Sequence, residues 1–282
     1  MRMRLWLAGF QILLLAAAST GSAQSMDSYR ATLPPTARAA TGVDLAGAPE
    51  SMRALLRAFL AHDPSYVAWT TLAKDASVTR PPTATLTVEG GSESACAVEI
   101  EGLSDEEWLR VEAILRLDGY AQDRRERVWS RDDRPSVARL SAEVVVVGAP
   151  TLVRAMRRPK RGGPLVGAAG EIPTVAVAWH IEQTDHGVAL GHVVAGTGLL
   201  IEVALPAATP EDADREAGIW RERFAADAVG AELEPSPSAL TILRAGKVRP
   251  VGSAVRMVFT ANSEQTEAAL EPLTRLLPGI SR

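Results

Sequence analysis

The chain has 282 residues, with 30 Lys and Arg against 34 Asp and Glu, a formal net charge of −4 and 46% hydrophobic side chains. That balance argues against sequence-independent nucleic-acid binding, which needs a cationic surplus to neutralise phosphates. A single cysteine, Cys96, excludes an internal disulfide framework, so a hydrophobic core has to hold the fold.

At the N-terminus, Met1-Arg2-Met3-Arg4 makes a short basic start, and residues 5–18 form an apolar run interrupted by Gly9 and Gln11. Such a run falls short of the roughly 20 residues that a membrane-crossing helix needs. Gly21, Ser22 and Ala23 follow, so residues 1–23 read as a signal peptide cleaved before Gln24, with an uncleaved anchor as the competing reading. Cleavage would remove Arg2 and Arg4 and no carboxylate, which takes the net charge from −4 to −6. Cys96 lies too far away to carry a lipid at that site. Arginine outnumbers lysine 27 to 3, which suggests a GC-rich bacterial genome. With the signal, that points to a secreted protein, periplasmic or extracellular.

Residues 24–49 are rich in Ala, Thr, Pro and Gly without periodicity and read as a flexible leader. Order is expected to begin near Glu50, where Met52, Leu55, Leu56, Phe59 and Leu60 share one helical face and His62-Asp63-Pro64 stops the helix. Next, residues 84–89 and 96–101 alternate apolar and polar side chains about Gly90-Gly91, as two half-buried strands do. Ser104 and Glu107 form a capping box before a helix that carries Trp108, Val111, Ile114 and Leu115 and ends at Asp118-Gly119. Strands over residues 127–130 and 143–147 and a short helix over 150–158 complete an order ββαββα.

The order recurs. Residues 190–194 and 199–205 read as strands, and Thr209 with Pro210 opens a helix with Ala213, Ala217, Trp220 and Phe224 on one face. Strands over 239–243 and 254–261 precede a last helix capped by Asn262 and Gln265, with Leu270, Leu273 and Leu277 inward. Residues 174–181 add a strand that bridges the halves. The expected fold is α+β: two similar ββαββα modules, residues 50–162 and 163–282, mainly antiparallel, with helices packed on one face.

For chemistry, His180, His186 and His192 are evenly spaced around Asp185. A hairpin register that pairs Ile181 with Leu190, Trp179 with His192 and Val177 with Val194 keeps apolar residues together. It also places His180 and His192 on opposite faces, which argues against a metal clamp. Gly196-Thr197-Gly198 leads into a strand, whereas a phosphate-binding glycine loop leads into a helix. Ser92 lacks the second glycine of a nucleophile elbow, and Cys96 faces inward with no cation to activate it. The carboxylates around Glu99, Glu101 and Glu107 fit alternation and capping. No catalytic, cofactor or metal residue is therefore assigned. One charged feature stands out: Arg154, Arg157, Arg158, Lys160 and Arg161, either an anion or partner patch or a solvated helix end. The expected role is a non-enzymatic binding or accessory protein of the cell envelope, engaging a protein, peptide or envelope component. A secreted hydrolase with a site assembled from sequence-distant residues is the alternative.

Overall fold

Four valines in a row, Val144–Val147, cannot make a strand with one wet face. In the computed structural model, which describes residues 33–158, 163–196, 198–225 and 237–276, that segment is β7 (Val144–Gly148) inside a broad sheet. Val145 and Val147 enter one core cluster and Val146 another on the opposite face. Strands apolar at both parities need covering on both sides.

Among the described residues twelve strands form one sheet, and every adjacent pair is antiparallel. The first half supplies β1 (Ala39–Asp44), β2 (Ala84–Gly90), β3 (Glu93–Glu99), β4 (Ala121–Asp123), β5 (Val128–Arg131), β6 (Arg134–Arg139) and β7. The second half supplies β8 (Ala176–Thr184), β9 (Gly187–Ala195), β10 (Gly198–Pro206), β11 (Lys247–Val251) and β12 (Ala254–Asn262). Across the sheet the order is β11-β12-β10-β9-β8-β1-β2-β3-β7-β6-β5-β4. Outward from the central β8–β1 pair, the run β9-β10-β12-β11 on one side mirrors β2-β3-β7-β6 on the other.

The α+β, antiparallel reading holds, with four corrections. First, the segment expected as a leader contains β1, at the centre of the sheet. It pairs with β2 from Ala39↔Glu89 to Asp44↔Ala84 and with β8 from Ala39↔Glu182 to Val43↔Ala178. Its sequence, Ala-Ala-Thr-Gly-Val-Asp, hides the strand because Gly42 leaves a gap that Trp179 fills. A Cβ on Gly42 would stand 2.3 Å from Cε2 of that indole.

Second, helices cover both faces. On the first face lie α1 (Glu50–Leu60), α2 (Pro64–Asp75) and α3 (Asp105–Leu117) from the first half, with α6 (Pro210–Ala225), α7 (Pro237–Arg244) and α8 (Ser263–Leu276) from the second. Their Met52, Trp69, Val111, Phe224, Ile242 and Ala269 join one cluster. The other face is covered by α4 (Pro150–Arg157) and α5 (Pro164–Ala169) through Leu152, Val153, Met156 and Leu165.

Third, residues 239–243 form part of α7. Ala239, Ile242 and Leu243 are buried at i, i+3 and i+4, a helical spacing inside a run short enough to pass for a strand. Fourth, α2, α5, β4, β6 and β11 lie outside the elements expected from the sequence, β6 because Pro135 within it reads as a strand breaker.

Local signals held elsewhere. Ser104 and Glu107 make both bonds of a capping box at α3. Asn262 and Gln265 exchange bonds of 2.8 and 3.0 Å at the start of α8. Thr209 caps α6 as expected, accepting from the Asp212 N–H at 3.1 Å. Asp63 ends one helix and opens the next, accepting from the N–H groups of Ser65 and Tyr66. The side chains of Leu270, Leu273 and Leu277 fall outside the described residues.

Candidate functional site

The β8–β9 hairpin pairs Ile181 with Leu190 and Trp179 with His192, as the hydrophobic pattern requires, although a bulge at 176–178 joins Ala176 to Val194. His180 therefore lies on the face opposite His192, where its Nδ1 meets the Thr41 hydroxyl at 2.8 Å. His192 is buried, its Nε2 3.9 Å from Glu202 Oε2, while the other oxygen of that carboxylate, Oε1, pairs with Arg256. Burial pushes its pKa below the usual 6.5, with Glu202 opposing that shift and Arg256 adding to it. The two rings cannot clamp one ion.

Cys96 is wholly buried, and that burial, with Asp63 nearby, pushes its thiol far up. A thiol held in that form is a poor nucleophile. Ser92 sits exposed in the β2–β3 turn, and Gly196 and Gly198 form the β9–β10 turn through a 2.9 Å backbone bond, with a strand following. Thr197 lies outside the described residues.

The basic patch divides. Lys160 and Arg161 lie outside the described residues. Arg154 and Arg158 both turn to Glu126, at 3.1 and 3.8 Å, so one carboxylate serves two guanidiniums at an exposed helix end. Arg157 turns the other way. Its Nη1 donates to the Arg139 carbonyl at 2.5 Å, and it lines a groove of about 630 Å³.

That groove lies at the β4–β7 end of the sheet and is lined by residues of both α3 and α4, which belong to opposite helical layers. It gathers Arg124, Arg127, Arg139 and Arg157, together with two carboxylates from α3, Asp105 and Glu112. Arg139 serves as the anchor. Its guanidinium meets Asp105 at 2.7 Å, donates to the carbonyls of Leu103, Ser141 and Ala142, and lies 5.8 Å from the Trp108 ring. These bonds tie the β6–β7 turn to the start of α3 and engage four of the five Arg139 N–H donors.

Arg124, Arg127 and Arg157 differ: among the described residues none has an ion-pair partner. Asp123 shapes the turn that carries two of them, its Oδ1 accepting from the N–H groups of Arg125 and Glu126 at 2.9 and 3.1 Å. The turn closes with Arg127 at φ 51°, a left-handed backbone uncommon for a residue with a side chain. Val128 pairs with Ala138, so Arg127 stands across from Arg139, one step beyond the pairing. Burial and the like charges of Arg127 and Arg158 lower the Arg157 pKa, and Glu126 opposes. The guanidinium stays charged regardless.

Sequence reasoning found Arg157 but missed the rest of the groove. Asp-Arg-Arg-Glu-Arg at 123–127 places three arginines within five residues, and it could have been marked. Arg139 carried no such signal, since its place depends on the unforeseen β6.

No described protein family matches this chain, and no curated protein matches it. The solved structure of crystal form I of TP0453 superposes with a TM-score of 0.44 at 11% identity, covering 86% of this chain and 97% of that one. Among the described residues no helix is long and apolar enough to cross a membrane.

Proposed function

We propose that this chain is an exported, non-enzymatic binding protein of a bacterial cell envelope, and that it holds an anionic group in the arginine groove. The observation that carries the reading is that Arg124, Arg127 and Arg157 line one groove with no ion-pair partner among the described residues. Arginine presents a planar fork that matches phosphate or carboxylate oxygens, and gathering three like charges costs free energy that a bound anion would recover. Residues 1–23 supply the export signal, and the periplasm or the medium is the proposed compartment.

The architecture is read as two copies of one ββαββα module, over residues 50–162 and 163–282, with β1 and β8 as added leading strands. The mirrored strand order supports this. So do the matching helix starts: Ser104 Oγ donates to Glu107 at 3.0 Å and Thr209 Oγ1 to Asp212 at 3.0 Å. The copies have diverged, because α4 and α8 cover opposite faces.

Calorimetric titration with inorganic pyrophosphate tests the binding. Saturable heat that weakens with salt is expected, with affinity falling about tenfold or more in Arg127→Ala, the worth of one charge-assisted contact. No saturable heat, or heat indifferent to Arg124→Ala and Arg127→Ala, overturns the reading. Fractionation of cells expressing the tagged chain tests export: a full-length cytosolic product would remove the envelope role.

A further inference from the structure

Resting on the anion-binding reading, we infer that the groove takes a phosphorylated sugar or cyclic polyol, with its phosphate among Arg124, Arg127 and Arg157 and its hydroxyls toward α3. Size gives the first argument. At about 630 Å³ the groove lies within the range of small-molecule sites. A bare phosphate would leave most of it to water.

Charge distribution gives the second. The arginines that form no ion pair among the described residues come from the β4–β5 turn and the end of α4, whereas α3 presents Asp105 and Glu112 to the same space. Glu112 is engaged by Trp108 Nε1 at 3.1 Å and by Arg116 at 3.4 Å, and Asp105 holds Arg139 through Oδ1. A polyanion filling the groove would meet these carboxylates and be repelled. Hydroxyl groups would not, since a carboxylate oxygen such as Asp105 Oδ2 accepts from them. Gln122 offers an amide that both donates and accepts, and Ser141 a hydroxyl, which is the mixed pairing a polyol can satisfy.

The apolar lining gives the third. The Trp108 ring is buried, with Arg139 lying over it, so the groove lacks an open aromatic platform on which a nucleobase could stack. Leu140 and Ala142 are too few to hold an alkyl chain.

The test compares glucose 1-phosphate, inorganic phosphate and adenosine monophosphate by calorimetry on the purified chain, with thermal melts to establish that each variant folds. Glucose 1-phosphate is expected to bind about tenfold tighter than phosphate, to lose that binding in Arg127→Ala, and to lose its advantage over phosphate in Gln122→Leu. If phosphate binds through Arg127 but glucose 1-phosphate binds no tighter, the polyol inference falls and the anion reading stands. If neither binds, both fall. Equal or tighter binding of adenosine monophosphate also overturns the polyol inference. Phosphatidylcholine vesicles with and without phosphatidylinositol separate the sources: retention by the inositol-bearing vesicles beyond the affinity for free inositol 1-phosphate identifies a lipid headgroup. Equal affinities identify the free compound.

Discussion

Arg127 carries its guanidinium on a backbone at φ 51°, a conformation in which Cβ crowds the neighbouring carbonyl and which glycine adopts freely. A turn selected for stability alone would hold glycine there. Arg127→Gly separates the two demands: it relieves about 1 kcal/mol of backbone strain, a rise of a few degrees in thermal midpoint for a chain of this size, while removing a groove cation. A higher midpoint together with weaker pyrophosphate binding is the expected pair of results. A lower midpoint would make the guanidinium a support of the turn. His192 supplies a pH dependence. Its folded pKa lies below 6.5, chiefly through burial, so as pH falls below 6.5 the unfolded chain takes up a proton that the folded one resists. Stability should decline across that range and not above it. Denaturant midpoints at pH 7.5 and 5.5 are expected to differ more for the native chain than for His192→Gln; equal differences would mean that the imidazole is not desolvated. The residues of α4 were legible because a run of like charges at a helix end shows in any sequence. Arg139 was not, because what it touches is fixed by the β6–β7 turn and the start of α3.

At the scale of elements, what the sequence disclosed depended on whether the governing interaction is local. The box between Ser104 and Glu107 spans three residues, and the β8–β9 register follows from two alternating runs joined by a short turn. Both could be read directly. β1 and α7 could not. The first is held by its pairing with β2 and β8, and Trp179, 137 positions away, lies over its Gly42. The second shows five apolar-rich residues whose spacing suits either element until Phe259 and its neighbours provide a surface to pack on. Gly42→Ala tests the β1 account. The added methyl would overlap an indole that is itself fully buried, an overpacking that typically costs 1–3 kcal/mol and can exceed that where nothing can shift. Urea midpoints should drop accordingly, and a Gly42→Ala, Trp179→Phe pair should recover part of the loss through the smaller ring. Failure of the second change to rescue the first would remove the indole as the reason for glycine.

For the whole molecule, β1 is the tie between halves. Strands β2 and β8 do not pair with each other; each pairs with β1, which lies between them. A chain begun at Glu50, the boundary that composition alone suggests, would keep every described helix and eleven of the twelve described strands yet expose two facing strand edges at the middle of the sheet. It would also lose Leu33, Ala40, Val43 and Leu45, each nearly inaccessible, from both clusters. Fully burying a leucine or valine is worth about 1.5–3 kcal/mol, so these side chains alone rival the 5–15 kcal/mol by which a domain is typically stable. Such a truncation should therefore unfold non-cooperatively or aggregate through its open edges, rather than lose a few degrees of melting temperature. Circular dichroism melts and limited proteolysis of chains starting at residues 24, 33 and 50 measure this. The first is expected to melt in one transition, the second close to it, and the third to show no sharp transition and rapid cleavage within the β2–β8 region. A cooperative melt for the chain starting at residue 50 would mean that the halves hold together without the strand between them.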